Sequence, residues 1–277
     1  MWRGKIEAVP QRPWYVVDSG KARPGKQTLV FIHGRFSNHE NWKPQMEYFR
    51  KKGHRVLAYD LDGNGKSTGN GNLSLENHVL GLKKILEKRG IEKAVFIGHS
   101  DGGVIAQTFT AQNPKRVLGL FLVNSYRRIP EDTRLLVRTL SEIYKKGKSV
   151  RGFLPRMQWA LFKLKVAWQL GESRVDPSGI FKLFLSSRKP RPLEVLQNQS
   201  MIFNEVTAPY MEEQPPMRVI HTEGDLFLGR HGADQFTEDY GIVPTVLPLA
   251  THSPHQIWPG RITREINDFL QKEAPSA

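Results

Sequence analysis

Gly98-His99-Ser100-Asp101-Gly102-Gly103 is the stretch on which the reading of this chain turns. It follows the apolar run Lys93-Ala-Val-Phe-Ile-Gly98 and leads into residues 104–112, a helical segment that stops before Pro114. Gly-x-Ser-x-Gly alone arises by chance. Between a buried strand and a helix it has the context of a nucleophile elbow, a turn so sharp that its serine is strained and held above the edge of a sheet. Small residues two before and two after Ser100 relieve the crowding. The competing reading, a glycine-rich phosphate loop, lacks both the Gly-Lys-Ser/Thr ending and the Gly-x-Gly-x-x-Gly spacing.

Outward from the elbow, strands and helices alternate. Thr28-Leu-Val-Phe-Ile-His33 and Arg55-Val-Leu-Ala-Tyr-Asp60 read as buried strands, the second followed by the breaker-rich Asp62-Gly-Asn-Gly-Lys-Ser-Thr-Gly69. Ser74 can cap a helix in which Leu75, Val79, Leu82, Ile85 and Leu86 recur at three- and four-residue spacing, ending at Gly90. Residues 117–123 make a further strand. The alternation stops over residues 126–214, which read as helices and loops, and resumes with strands at 217–221 and 245–249, a short helix at 234–240 and a last helix at 260–272. Residues 5–17 are expected to add one or two antiparallel edge strands. Such alternation demands right-handed crossovers and a mostly parallel sheet with helices on both faces. The expectation is therefore one α/β core, residues 1–125 and 214–277, with a helical cap of residues 126–213 inserted after the sixth strand.

A serine hydroxyl is a poor nucleophile until a base takes its proton, and the base needs an acid to orient it. With the elbow fixed, the chain order should be Ser, then Asp or Glu, then His. Asp225 lies in His221-Thr-Glu-Gly-Asp-Leu-Phe227 and His252 in Leu249-Ala-Thr-His-Ser-Pro-His255, each after a strand, where catalytic groups gather in such sheets. His255 competes as the base. Asp234 competes as the acid but falls in a helical stretch, and Asn124, after the preceding strand, has no charge to offer. The other histidines, His99 among them, are expected to pack, cap or face solvent.

Taken together, His33-Gly34 with Trp42 downstream, Asp60-Leu-Asp-Gly-Asn-Gly-Lys-Ser67, the Ser100 elbow, Glu223-Gly-Asp225 and His252-Ser-Pro-His255 resemble an α/β-hydrolase of the serine esterase type. The Ser-Asp-Gly-Gly wording is similar to the biphenyl-hydrolase-like branch. The resemblance implies Ser100 as nucleophile, His252 as general base with His255 packing, Asp225 as orienting acid, and an oxyanion hole from the backbone N–H groups of Arg35 and Asp101. It implies no cofactor and no metal. Asp101 and Arg35 depart from the usual pattern. Asp101 is expected as a solvated acid favoured by the helix dipole, or else as a reader of a cationic substrate group. Arg35 is expected to face solvent, or to meet a substrate carboxylate. Arg35, Phe36, Trp159 and Phe162 are the candidate substrate contacts.

Charge bears on partners. The 277 residues carry a formal +14, of which residues 127–191 supply sixteen Lys or Arg against five acids, +11 on an otherwise almost neutral chain. No helix-turn-helix, zinc-finger spacing or aromatic RNA-binding signature accompanies it, so no specific nucleic acid is expected. Four readings of the basic segment stand: a solvated helical face, a contact for an anionic substrate, a dock for an acidic carrier protein, and a contact with an anionic lipid surface. Zero cysteines exclude a disulfide scaffold, a thiolate zinc site and a cysteine nucleophile. Residues 1–13 lack the apolar core of a secretion signal, and no run reaches the roughly 18 apolar residues of a membrane span. A cytoplasmic enzyme on a small ester is the expectation. A thioesterase or esterase on carrier-bound acyl groups, a carbon–carbon or lactone hydrolase, and a non-catalytic ligand receptor are the alternatives.

Overall fold

A computed structural model describes residues 5–6, 14–35, 37–67, 72–129, 207–225, 228, 231–249 and 251–274. Among these, one sheet contains β1 (Lys5–Ile6), β2 (Val16–Asp18), β3 (Thr28–Ile32), β4 (Arg55–Tyr59), β5 (Ala94–His99), β6 (Val117–Val123), β7 (Met217–Thr222) and β8 (Thr245–Leu247), in the order β1-β2-β4-β3-β5-β6-β7-β8. β1 and β2 pair antiparallel at one edge, and all pairings from β4 to β8 are parallel. This is the mostly parallel sheet that the alternation predicts, antiparallel edge included.

Side chains alternate across each strand, so the sheet has two apolar faces to cover. Val30, Ile32, Phe96, Leu120 and Leu122 pack on one side against α2 (Leu75–Lys88) and α3 (Asp101–Gln112), through Leu82, Ile85, Ile105 and Phe109. Leu29, Phe31, Val95, Ile97 and Phe121 pack on the other against α1 (Lys43–Lys51) and α6 (Pro259–Lys272). In α6 the buried Ile262, Ile266, Phe269 and Leu270 form one stripe, each side chain contributing about 1.5–3 kcal/mol when removed from water.

The differences from expectation are local. α1 was not anticipated, because its inward face is only Gln45, Met46 and Phe49, too short an apolar pattern to register as a period. α3 begins at Asp101, directly after the serine. A short α5 (Pro254–Ile257) precedes α6, α4 (His231–Tyr240) starts earlier than expected, and β8 stops at Leu247, before a proline that cannot donate to a ladder.

Where the basic segment leaves the sheet and where it returns lie side by side. Arg128 bridges Thr207, and the Ala208 N–H donates to the Arg127 carbonyl at 2.8 Å. Both ends are moored to α4: Gln235 Oε1 accepts from the Arg127 and Arg128 N–H groups, and Asp239 pairs with both guanidinium groups. The first two of the sixteen cations are thus ion-paired. The helical cap expected at 126–213 falls on residues 130–206 for nearly all its length, outside the described residues, as do Trp159, Phe162 and Phe36. No helix of the described residues is long and apolar enough to cross a membrane.

Candidate active site

β5 delivers Ser100 and α3 departs from it with no intervening loop. Ser100 takes φ 52° and ψ −124°, a conformation L-residues avoid. Such backbone costs on the order of 1–3 kcal/mol and persists only when its surroundings over-determine it. They do. The Ser100 N–H donates to the Val123 carbonyl at 3.1 Å, and its own carbonyl accepts from Ser125 Oγ at 2.9 Å and from the Gly103 N–H at 2.9 Å. The motif glycines serve close approach: a Cβ on Gly98 would lie 2.5 Å from the Gly103 Cα, and one on Gly102 2.4 Å from the Ile32 carbonyl oxygen. The start of α3 is therefore pressed onto the carboxyl ends of β3 and β5, which lifts Ser100 to the sheet's rim.

The loops after β7 and β8 bring the other two groups. His252 Nε2 lies 2.9 Å from Ser100 Oγ, and His252 Nδ1 lies 2.7 Å from Asp225 Oδ2, with Asp225 only 2% exposed. A carboxylate can only accept, so Nδ1 carries the hydrogen and Nε2 of the neutral ring is left to accept from the serine hydroxyl. Asp225 is itself held by the Asp225 N–H donating to the Thr222 carbonyl and by the Leu228 N–H donating to its Oδ1. His255 is elsewhere: fully buried, stacked on Trp42 at 4.2 Å between ring centroids, its carbonyl accepting from Gln45. Asp234 lies on α4.

Above Ser100 the loop after β3 closes in, and a methyl on Gly34 would sit 3.0 Å from the Ser100 Cβ. His33 Nε2 accepts the Leu61 N–H at 3.0 Å, so Nδ1 bears the hydrogen and donates to the Gly34 carbonyl at 2.7 Å. A trans peptide points its N–H opposite to its carbonyl. Holding the Gly34 carbonyl toward His33 thus turns the Arg35 N–H the other way.

Asp101 is not the solvated acid expected. It is 3% exposed, and both carboxylate oxygens are taken: Arg35 Nε donates to Oδ2 and Tyr126 Oη donates to Oδ1, each at 2.6 Å. Nor does Arg35 face solvent, since its Nε is committed to Asp101 and its side chain is 17% exposed. Burial opposes the guanidinium's charge, but Asp101 and Tyr126 together outweigh it, and the Arg35 pKa stands above its ordinary value. Burial, then Asp101, pushes the Tyr126 phenol well above the usual range, so it remains a donor.

Three positioning groups escaped the sequence reading. Asn124, at φ 41° in the left-handed region, donates from Nδ2 to Thr222 Oγ1 at 2.8 Å and to the Thr251 carbonyl at 3.0 Å. Thr222 Oγ1 donates to that same carbonyl. His99 Nε2 donates to the His252 carbonyl at 2.6 Å, which leaves Nδ1 bare and without a partner. Burial holds His99 neutral, its pKa pushed down to about 3. The only advance signal was that Asn124 occupies the strand end where an acid was considered. Among the described residues, no cluster of three or more His, Asp or Glu side chains is arranged to hold a metal ion.

Comparison with known proteins agrees on the fold. A family profile described as alpha/beta hydrolase fold matches residues 27–149. Human epoxide hydrolase 4 is 32% identical over 103 residues, 36% of this chain and 28% of that protein. The putative carbamate hydrolase RutD of Azorhizobium caulinodans is 33% identical over 88 residues, 31% of this chain and 33% of that protein. The chain thus matches about a third of these curated relatives' length. A solved esterase from Exiguobacterium antarcticum superposes with a TM-score of 0.76 at 16% identity, covering 96% of this chain and 98% of its own. The chain has the α/β-hydrolase fold.

Proposed function

We propose that the chain is a serine hydrolase that cleaves carboxylic esters through an acyl-enzyme. The observation that carries this reading is the continuous hydrogen-bonded line from Ser100 Oγ through His252 to the buried Asp225, at 2.9 and 2.7 Å, on a backbone strained at Ser100 alone of the three. His252 Nε2 takes the hydroxyl proton as Ser100 Oγ attacks the ester carbonyl, and Asp225 steadies the imidazolium that forms. The carbonyl oxygen becomes an oxyanion, for which the backbone N–H groups of Arg35 and Asp101 are the donors; loss of one such donor typically costs about 3–4 kcal/mol of barrier. The tetrahedral intermediate collapses, the alcohol leaves with the proton from His252, and the acyl group stays on Ser100. Water, its proton taken by His252, then attacks that acyl group; the second intermediate collapses, His252 returns the proton to the departing Ser100 Oγ, and the acid is freed.

The names of the relatives span epoxide, carbamate and ester chemistry. Ser100 favours acyl transfer, because a serine ester is the natural covalent intermediate of carbonyl substrates. A second reading keeps this chemistry and changes the carrier. The +11 of residues 127–191 favours an acyl group borne by an acidic protein, whose association would weaken steeply with salt.

The test is hydrolysis of p-nitrophenyl esters from acetate to dodecanoate by the wild type and Ser100→Ala. The expected outcome is turnover with a chain-length optimum, lowered at least about 10⁴-fold by the substitution. Undiminished turnover in Ser100→Ala overturns the assignment.

A further inference from the structure

The two residues whose backbone N–H groups are proposed to hold the oxyanion, Arg35 and Asp101, are 66 positions apart and joined to each other by their side chains. Asp101 opens α3, directly after the nucleophile, and Arg35 sits on the separate loop after β3. The pairing of β3 with β5 and the close approach of Gly102 to the Ile32 carbonyl bring that loop and that helix end together, and a side-chain bond then ties the two donor residues directly. The Arg35 Nε to Asp101 Oδ2 bond at 2.6 Å links the two, and the buried Tyr126, shortly after β6, donates from Oη to the second carboxylate oxygen at 2.6 Å. On the loop side, His33 already fixes the peptide plane of Gly34 through the 2.7 Å bond to its carbonyl. Each N–H donor is thereby clamped twice, once by its backbone and once by its side chain.

We propose that Arg35, Asp101 and Tyr126 form a brace that sets the spacing of the two oxyanion donors, and so act as positioning residues for the transition state. The inference rests on the serine-hydrolase reading above. A developing oxyanion is held by donors whose aim is set before the reaction starts. The ground-state carbonyl, uncharged and farther from both donors, gains much less from that aim. Loosening the brace therefore lowers kcat and leaves KM nearly unchanged. The pairing also means that the Arg35 charge is answered inside the protein, so the brace confers no preference for anionic over neutral acyl groups.

The experiment compares wild type, Arg35→Met, Asp101→Asn, the double variant and Tyr126→Phe on one p-nitrophenyl ester. Alongside kinetics it measures inhibition by an alkyl boronic acid, which adds to the serine as a tetrahedral mimic. Complete loss of one oxyanion donor costs about 10²–10³-fold in kcat. Displacement of a donor that is still present should cost less, about 10–100-fold in each single variant of the pair and a few-fold in Tyr126→Phe. The double variant should be no worse than the poorer single, because both remove one brace. Boronate affinity should fall in parallel with kcat/KM across the series. Additive losses in the double variant, a rise in KM at constant kcat, or boronate affinity indifferent to the substitutions would each overturn the brace. If Arg35→Met or Asp101→Asn does not fold, Tyr126→Phe, which removes one hydroxyl, carries the same kcat and boronate test. Activity abolished by Ser100→Ala but untouched by all brace variants sinks the brace alone. Activity that survives Ser100→Ala sinks the serine reading and the brace with it.

Discussion

The two halves of the site are built by different means. The elbow half is local: six consecutive residues, a strand, a helix and glycines that let backbones touch. The acid–base half is assembled across the chain. Its decisive bonds join Ser100 to His252 over 152 positions, Asn124 to the Thr251 carbonyl over 127, Asn124 to Thr222 over 98 and His99 to the His252 carbonyl over 153. One half is rigid because its backbone has no room; the other is rigid because buried side chains and carbonyls from distant segments are hydrogen-bonded to one another. The first should break abruptly and the second by degrees.

Gly102→Val is the strongest way to break the first half. A Cβ there lies 2.4 Å from the Ile32 carbonyl oxygen and 2.5 Å from the His33 one, and backbone cannot step aside as a flexible side chain can. The expected result is loss of all measurable esterase activity and of a cooperative melt near the wild-type temperature. Wild-type turnover from this variant would show that the elbow is not sterically determined.

Asn124→Ala probes the second half more gently. It leaves the Thr222 N–H without its acceptor and removes one of the two donors on the Thr251 carbonyl, while the Thr222 hydroxyl still holds that carbonyl. Unsatisfied buried groups cost about 1–3 kcal/mol each. We expect stability in denaturant melts to fall by about 2–3 kcal/mol and kcat to fall about 10-fold, since His252 follows Thr251 directly. Asn124→Gly separates the causes. It relieves the φ of 41° but restores no bond, so recovery of activity in Gly would assign the effect to backbone strain instead.

This contrast also explains what could be read in advance. Residues 93–103 declare strand, turn and helix within a few positions, and the spacing of glycines about Ser100 has one good structural meaning. Asp225 and His252 could be placed because each follows a strand in the right order. Asn124 and His99 could not, because each bonds a backbone carbonyl more than 120 positions away, and a carbonyl leaves no mark in sequence. Asp101 and Arg35 were misjudged for a related reason. Each alone looks like a surface charge, and only the fold brings them to 2.6 Å.

Acid tests the seam where the halves meet, with a smaller effect. Burial lowers His78 to about 4 and His99 to about 3, and holds His255 well below its usual value; His99 and His255 lie 4.4 Å apart, with His252 beside His99. All three have folded pKa values below the unfolded value near 6.5. Below pH 6.5 the unfolded chain takes up protons that the folded one refuses, so their stabilisation is complete above that pH and declines as pH falls toward the folded values. Each contributes a slope of up to about 1.4 kcal/mol per pH unit. Melting temperature should drop between pH 7 and pH 5, less steeply in His78→Gln. A flat profile over that range would mean these rings are not held neutral by the fold.

The central claim is that Ser100, activated by His252, forms the covalent intermediate. The most direct measurement is labelling with a fluorophosphonate, which joins to an activated serine with loss of fluoride, followed by mass spectrometry of the whole chain and of its peptides. The account predicts one adduct per chain, on Ser100, with labelling slowed at least 100-fold in His252→Ala. An adduct on another residue, no adduct at all, or labelling of Ser100 that is indifferent to His252 would contradict it.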